Sequence, residues 1–121
     1  MQRYTELKVW ERSHALALAV YRQSASFPEQ ERFGLTAQLR RAAVSVPANI
    51  AEGSKRQGAQ DFARFLNIAE GSLAETGYLL LLARDLGYLD AAAAKNLLAE
   101  VDEIAAMLHA LRGKVEKGRG A

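Results

Sequence analysis

Chemistry at neutral pH needs an acid, a base or a metal held where a substrate can reach it, and candidates in this chain are few. The only histidines are His14 and His109. Glu11 and His14 form one Glu-x-x-His pair, which a helix places on one face and which is half of the ligand set of a di-metal helical bundle. The matching half is missing, because Ala106 stands three residues before His109. The chain has no cysteine, so disulfides, thiol nucleophiles and thiolate metal sites are excluded. Gly53 and Gly58 have the glycine spacing of a phosphate-binding loop, yet Ala59 and Gln60 occupy the places of the required Lys and Ser/Thr. Glu100, Asp102 and Glu103 lie too close in sequence to converge from one helix and read as a solvated acidic run. No serine is set beside a convincing base. The expectation is a protein that is not an enzyme, with no metal and no cofactor.

The chemistry that remains is recognition by charge. The net charge of +2 is small, but its distribution is uneven. From Arg32 to Gln60 five bases face Glu52 alone, from Asp61 to Leu111 three bases face eight acids, and from Arg112 onward four bases face Glu116. Bases gathered in one segment and the tail could meet a polyanion, or could be a solvated face with a basic end.

These residues must be positioned by helices. Alanine and leucine dominate a chain with only two prolines, and both lose little on entering a helix. Val9, Leu16 and Val20, with Trp10, Ala17 and Tyr21, recur at a 3.6 period and predict a first helix over about 7–24. Pro28 closes the segment that follows. Thr36 is the expected N-cap of a second helix whose core face is Leu39, Ala43, Val46 and Ile50. Pro47 cannot donate to the carbonyl of Ala43 and is expected to kink that helix. Residues 53–58 read as its connection to a long third helix over about 59–86, with a core stripe of Phe62, Leu66, Ala69, Leu73 and Leu80. Gly87 reads as a left-handed stop, with Tyr88 packing back over the end. Asp90 caps a fourth helix over about 91–117, whose stripe is Leu97, Val101, Ile104, Leu108 and Leu111. One all-α domain follows, an antiparallel up-down-up-down four-helix bundle with a Pro-kinked second helix and a basic, frayed tail over about 112–121. The charged N-terminal stretch is no secretory signal and no apolar run approaches the ~20 residues of a membrane span, so the expected location is the cytoplasm.

The second helix has more apolar surface than inward packing needs. Beyond the Leu39 face, Ala37, Val44, Ala48 and Ala51 occupy a side that a helix packed only inward would fill with charge. A second copy of the chain would cover it most economically, although alanine is tolerated anywhere on a helix.

The run FGLTAQLRRAAVSVPANIAEGSKR, continuing into FARFLNIAEGSLAE, resembles the bacterial four-helix-bundle family that includes proteins encoded by intervening sequences of large-subunit ribosomal RNA genes. The shared signature is Phe33-Gly34-Leu35, Gln38-Leu39-Arg40-Arg41, Pro47 to Gly53, Arg56, Phe65-Leu66, Ala69 and Gly71-Ser72. The opening LKVWERSHALALAVY and the LGYLD turn fit as well, while Gly58 stands where relatives commonly carry a serine cap. The resemblance implies a bundle that assembles into a ring, often a homopentamer. A similar fold serves as a nucleic-acid-binding accessory protein of retroelements, though those proteins are much more basic than this chain.

Two readings of the polar side of the second helix stand at this point. Arg40, Arg41, Asn49, Lys55 and Arg56 could contact phosphates or base edges of RNA or DNA. Alternatively, Glu52 could pair with Arg41 or Arg56 and Asn49 could bond backbone freed by Pro47, which would leave a protein-interaction scaffold without nucleic-acid affinity.

Overall fold

The computed structural model describes residues 3–118. A 3-10 turn at Tyr4–Glu6 leads into α1, Lys8–Ser24, and another at Glu29–Glu31 into α2, Leu35–Ser54. The chain continues as α3, Ala59–Asp85, and α4, Ala91–Gly118. Each helix packs on its neighbours in sequence and α4 closes back on α1, which makes an up-down-up-down bundle. The start of α1, the end of α2, the start of α3 and the end of α4 therefore share one end of the molecule, termed here the near end.

The core follows the helical period. Leu16 and Val20 of α1, Leu39, Val46 and Ile50 of α2, Leu66, Leu73 and Leu80 of α3, and Ile104 and Leu108 of α4 are buried. Each such side chain contributes ~1.5–3 kcal/mol relative to exposure. Polar groups inside are satisfied locally: the Ser13 hydroxyl donates to the Val9 carbonyl at 2.8 Å and that of Thr76 to the Ser72 carbonyl at 2.8 Å.

The helix ends depart from expectation in two places. Thr36 is not the cap of α2 but a buried residue of its first turn. The orphan N–H of Leu35 is taken instead by a Glu31 carboxylate oxygen at 3.1 Å, reaching back from the preceding turn. Gly34 leaves that carboxylate room, since a Cβ there would lie 2.9 Å from it. Gly53 does not open the α2–α3 connection. It is buried inside α2, where a Cβ would meet the Phe65 Cβ at 2.7 Å. The other ends agree with the sequence: Gly87 has φ +82, the Tyr88 N–H donates to the Ala83 carbonyl, and the Asp90 carboxylate accepts the Ala93 N–H at 2.8 Å. Helix α2 continues through Pro47 to Ser54. Residues 112–118 extend α4 instead of fraying, and Arg119 lies outside the described residues.

Candidate functional site

The five polar candidates on α2 and just past its end meet different fates. Arg40 is half-buried and turned onto α1, donating to Ser24 Oγ at 2.8 Å and to the Tyr21 carbonyl at 3.2 Å while stacking over the Tyr21 ring. Asn49 donates to the carbonyl of Ser45 at 2.7 Å and to its hydroxyl at 2.9 Å. It thus bonds backbone, but not the Ala43 carbonyl that Pro47 leaves without its donor. Arg56 pairs with Glu52 at 2.6 Å and lies over the Phe65 ring. Arg41 and Lys55 differ from these three. Both are exposed, and neither is in an ion pair among the described residues; Lys55 only approaches the Tyr4 ring at 6.0 Å. The sequence thus groups five residues of which the structure commits three to its own fabric.

The apolar candidates do share a surface. Val44 is 41% exposed and Ala48 is exposed, with Ala37 and Ala51 half-buried beside them. Two larger side chains that the sequence did not assign to this face extend it, Tyr21 and Phe33, the last 86% exposed. Tyr21 continues the Trp10–Ala17 period that predicts the first helix, and only Ala17 of the three is buried. Beside these residues opens a cleft of about 640 Å³, walled by Tyr21, Phe33, Ala37 and Val44 and rimmed by Arg32, Arg40 and Arg41.

Further apolar side chains are exposed on α3. Ile68, Tyr78 and Leu86 of α3 and its C-terminal cap are exposed. Tyr78 borders a groove between α3 and α4, lined also by Ala74, Gly77, Leu81 and Leu98, whose polar rim is Glu70 and Asp102. The two faces thus carry opposite charge, basic on α1–α2 and acidic on α3–α4.

The groups examined for chemistry lie apart. His14 stacks on Trp10 with ring centroids 5.0 Å apart, and His109 stands 3.5 Å from an Arg112 nitrogen on α4. No cluster of metal-ligating side chains occurs among the described residues. The resolved titration shifts belong to structural contacts. Hydrogen bonds to Glu100 and then Glu103 raise the Arg12 guanidinium above its ordinary range, a hydrogen bond to Glu70 does the same for Arg112, and one to Glu31 raises the Tyr88 phenol. No helix among the described residues is long and apolar enough to cross a membrane.

The chain is similar to known proteins in sequence and in fold. The sequence model of the 23S rRNA-intervening sequence protein family matches residues 5–110. A crystal structure of a protein of unknown function from the S23 ribosomal protein family of Bacteroides thetaiotaomicron is similar at 28% identity and a TM-score of 0.77, covering 86% of this chain and 97% of its own. No curated protein matches.

Proposed function

The chain belongs to the 23S rRNA-intervening sequence protein family, and from that premise we propose that it is a non-enzymatic bundle that assembles into a closed ring and binds RNA or DNA. The observation that carries the reading is the pair of faces. Tyr21, Phe33 and Val44 are exposed around one and Tyr78 beside the other, and with Leu18, Ile68 and Leu86 seven large apolar side chains meet water among the described residues. Such patches mark interaction surfaces. Their rims differ in sign, with Arg32 and Arg41 on the first and Asp102 on the second. Unlike faces pair head to tail, and head-to-tail contacts close into a ring when the rotation permits.

Sedimentation tests the assembly. The wild type is expected to sediment as a multiple of its 13.2 kDa chain mass, five-fold if the ring is the pentamer that the resemblance implies. Val44→Glu and Tyr78→Glu, one on each face, are each expected to yield monomer. A wild type that stays monomeric at high concentration would sink the ring. Nucleic-acid binding is tested separately, by anisotropy of labelled RNA and duplex DNA at two salt concentrations. Affinity that falls steeply with salt is the expected result, because phosphate contacts release counterions. A scaffold for a protein partner is the second reading, favoured by the commitment of Arg40, Asn49 and Arg56 to intramolecular bonds. Absence of binding at low salt would select it.

A further inference from the structure

We infer that the near end of the bundle grips the sugar–phosphate backbone of a nucleic acid through Lys8, Lys55, Lys114 and Lys117. The inference rests on the nucleic-acid reading above and places the contact away from the arginines of α2. The chain has five lysines; four stand at this end, and only Lys95, near the start of α4, lies elsewhere.

The arginines and lysines of this end are used differently. Arg56 is paired with Glu52, Arg64 with Asp61 at 3.1 Å, and Arg112 with both Glu70 and Glu116, whereas Arg3, before α1, is in no ion pair among the described residues. Each of these three guanidinium groups would have to leave a carboxylate to meet a phosphate. None of the four ammonium groups is in an ion pair among the described residues. Helix energetics accounts for some of them: Lys55 and Lys117 stand at the C-terminal ends of α2 and α4, where a cation offsets the dipole. It does not account for Lys8, which is the first residue of α1 and faces the positive end of that dipole.

What Lys8 does instead is flank a groove. Lys8 and Lys114 bound a space of about 300 Å³ floored by Leu7, Val9, Met107 and Leu111, with no carboxylate in its wall. Lys117 follows Lys114 by one helical turn. On the α2 side Lys55 lies beside Tyr4, whose ring meets the edge of Trp10 at 5.2 Å. Ammonium groups meet phosphate as rotatable point charges and need no fixed fork geometry. Apolar floor and aromatic rings suit the sugars and bases that accompany the phosphates of a strand. A closed ring would present every copy's near end at one height along its axis, so the contact would be repeated.

The test is fluorescence anisotropy of a labelled single-stranded RNA with wild type, the Lys8→Gln/Lys114→Gln/Lys117→Gln variant, and Arg41→Gln. All three are first checked for an unchanged helical spectrum and melting temperature, as surface changes should leave them. The triple variant is expected to bind more than about tenfold more weakly and to lose about two from the salt slope, near 0.7 per phosphate contact on a single strand. Arg41→Gln is expected to change binding less. If wild type binds and the triple variant binds equally well, the site is wrong while the nucleic-acid reading survives. If wild type binds no RNA at low salt, both fall. Capture by phosphatidylserine vesicles that depends on these lysines, without RNA binding, would also overturn the inference in favour of a membrane surface.

Discussion

Along the α2–α3 seam, Gly53 leaves the space that the Phe65 Cβ closes on, and two serine hydroxyls, Ser45 and Ser72, meet at 2.8 Å. Along the α1–α4 seam the join is made by long charged side chains: Arg12 reaches Glu100 at 2.6 Å and Glu103 at 3.1 Å, with its guanidinium also against Met107. Small residues give close backbone approach and a filled interface. Long ones span a gap and leave a groove beside it, here the one between Lys8 and Lys114. The first seam is built for stability, and the second has room for a ligand.

The largest effect expected of a test of that contrast is at Gly53. Alanine inside a helix ordinarily gains ~1 kcal/mol over glycine. At Gly53 the new methyl would sit 2.7 Å from the Phe65 Cβ, an atom fixed by the backbone that cannot swing away, and 3.0 Å from the ring atom Phe62 Cδ1. Gly53→Ala is therefore expected to destabilise the bundle by ~1–3 kcal/mol, the cost of overpacking, read as a lowered urea midpoint. Gly71 on the outer side of α3 has open space around it, and Gly71→Ala should raise the midpoint. Equal behaviour of the two glycines would remove the distinction drawn for the α2–α3 seam.

How far the sequence disclosed these seams depends on range. The stripes Leu39–Ala43–Val46–Ile50 and Leu97–Val101–Ile104–Leu108 are legible because burial on a helix follows its period. The fold class is legible for the same reason, whereas the family is legible by the resemblance of the run around Pro47. Gly53 was misread as connection because glycine signals a break locally, whereas its role here is set by Phe65 on another helix. Thr36 was misread because the true cap, Glu31, acts across a turn. The α2 arginines looked like one surface because side-chain partners such as Ser24 for Arg40 depend on which helices become neighbours. Lys8 and Lys114 stand at opposite ends of the sequence, so only the closure of α4 on α1 reveals their groove. Tyr21 and Ala17 share an apolar stripe, and periodicity alone does not say which of them faces the core and which the solvent.

A smaller effect is expected at Arg12. Its side chain and that of Glu100 are each about a third exposed, at 32% and 33%, so solvent screens the pair. Arg12→Gln removes both ion pairs and leaves Glu100 and Glu103 facing each other one turn apart on α4, where like charges repel. The variant should melt below wild type by less than Gly53→Ala does, and the gap should narrow in high salt. A gap independent of salt would mean that Arg12 acts by packing on Met107 instead of by charge.

The smallest effect concerns the far end, where the α3–α4 loop is tied to the α1–α2 loop. The Tyr88 hydroxyl donates to Glu31 at 3.1 Å, and the Tyr88 ring lies 5.8 Å from that of Phe27. The bond to Glu31 favours the neutral phenol, chiefly by hydrogen bonding, so the Tyr88 pKa is raised in the folded protein. A folded pKa above the unfolded one means that the contribution is fully present below the ordinary tyrosine pKa, about 10, and is lost as pH rises through the folded value. The melting temperature of wild type should therefore fall relative to that of Tyr88→Phe across this alkaline range, and the two should differ by a constant amount below it. Because Glu31 also accepts the Leu35 N–H, breaking this tie leaves the α2 cap in place. The effect should consequently be confined to the joint between the two helix pairs and should leave both seams as they are.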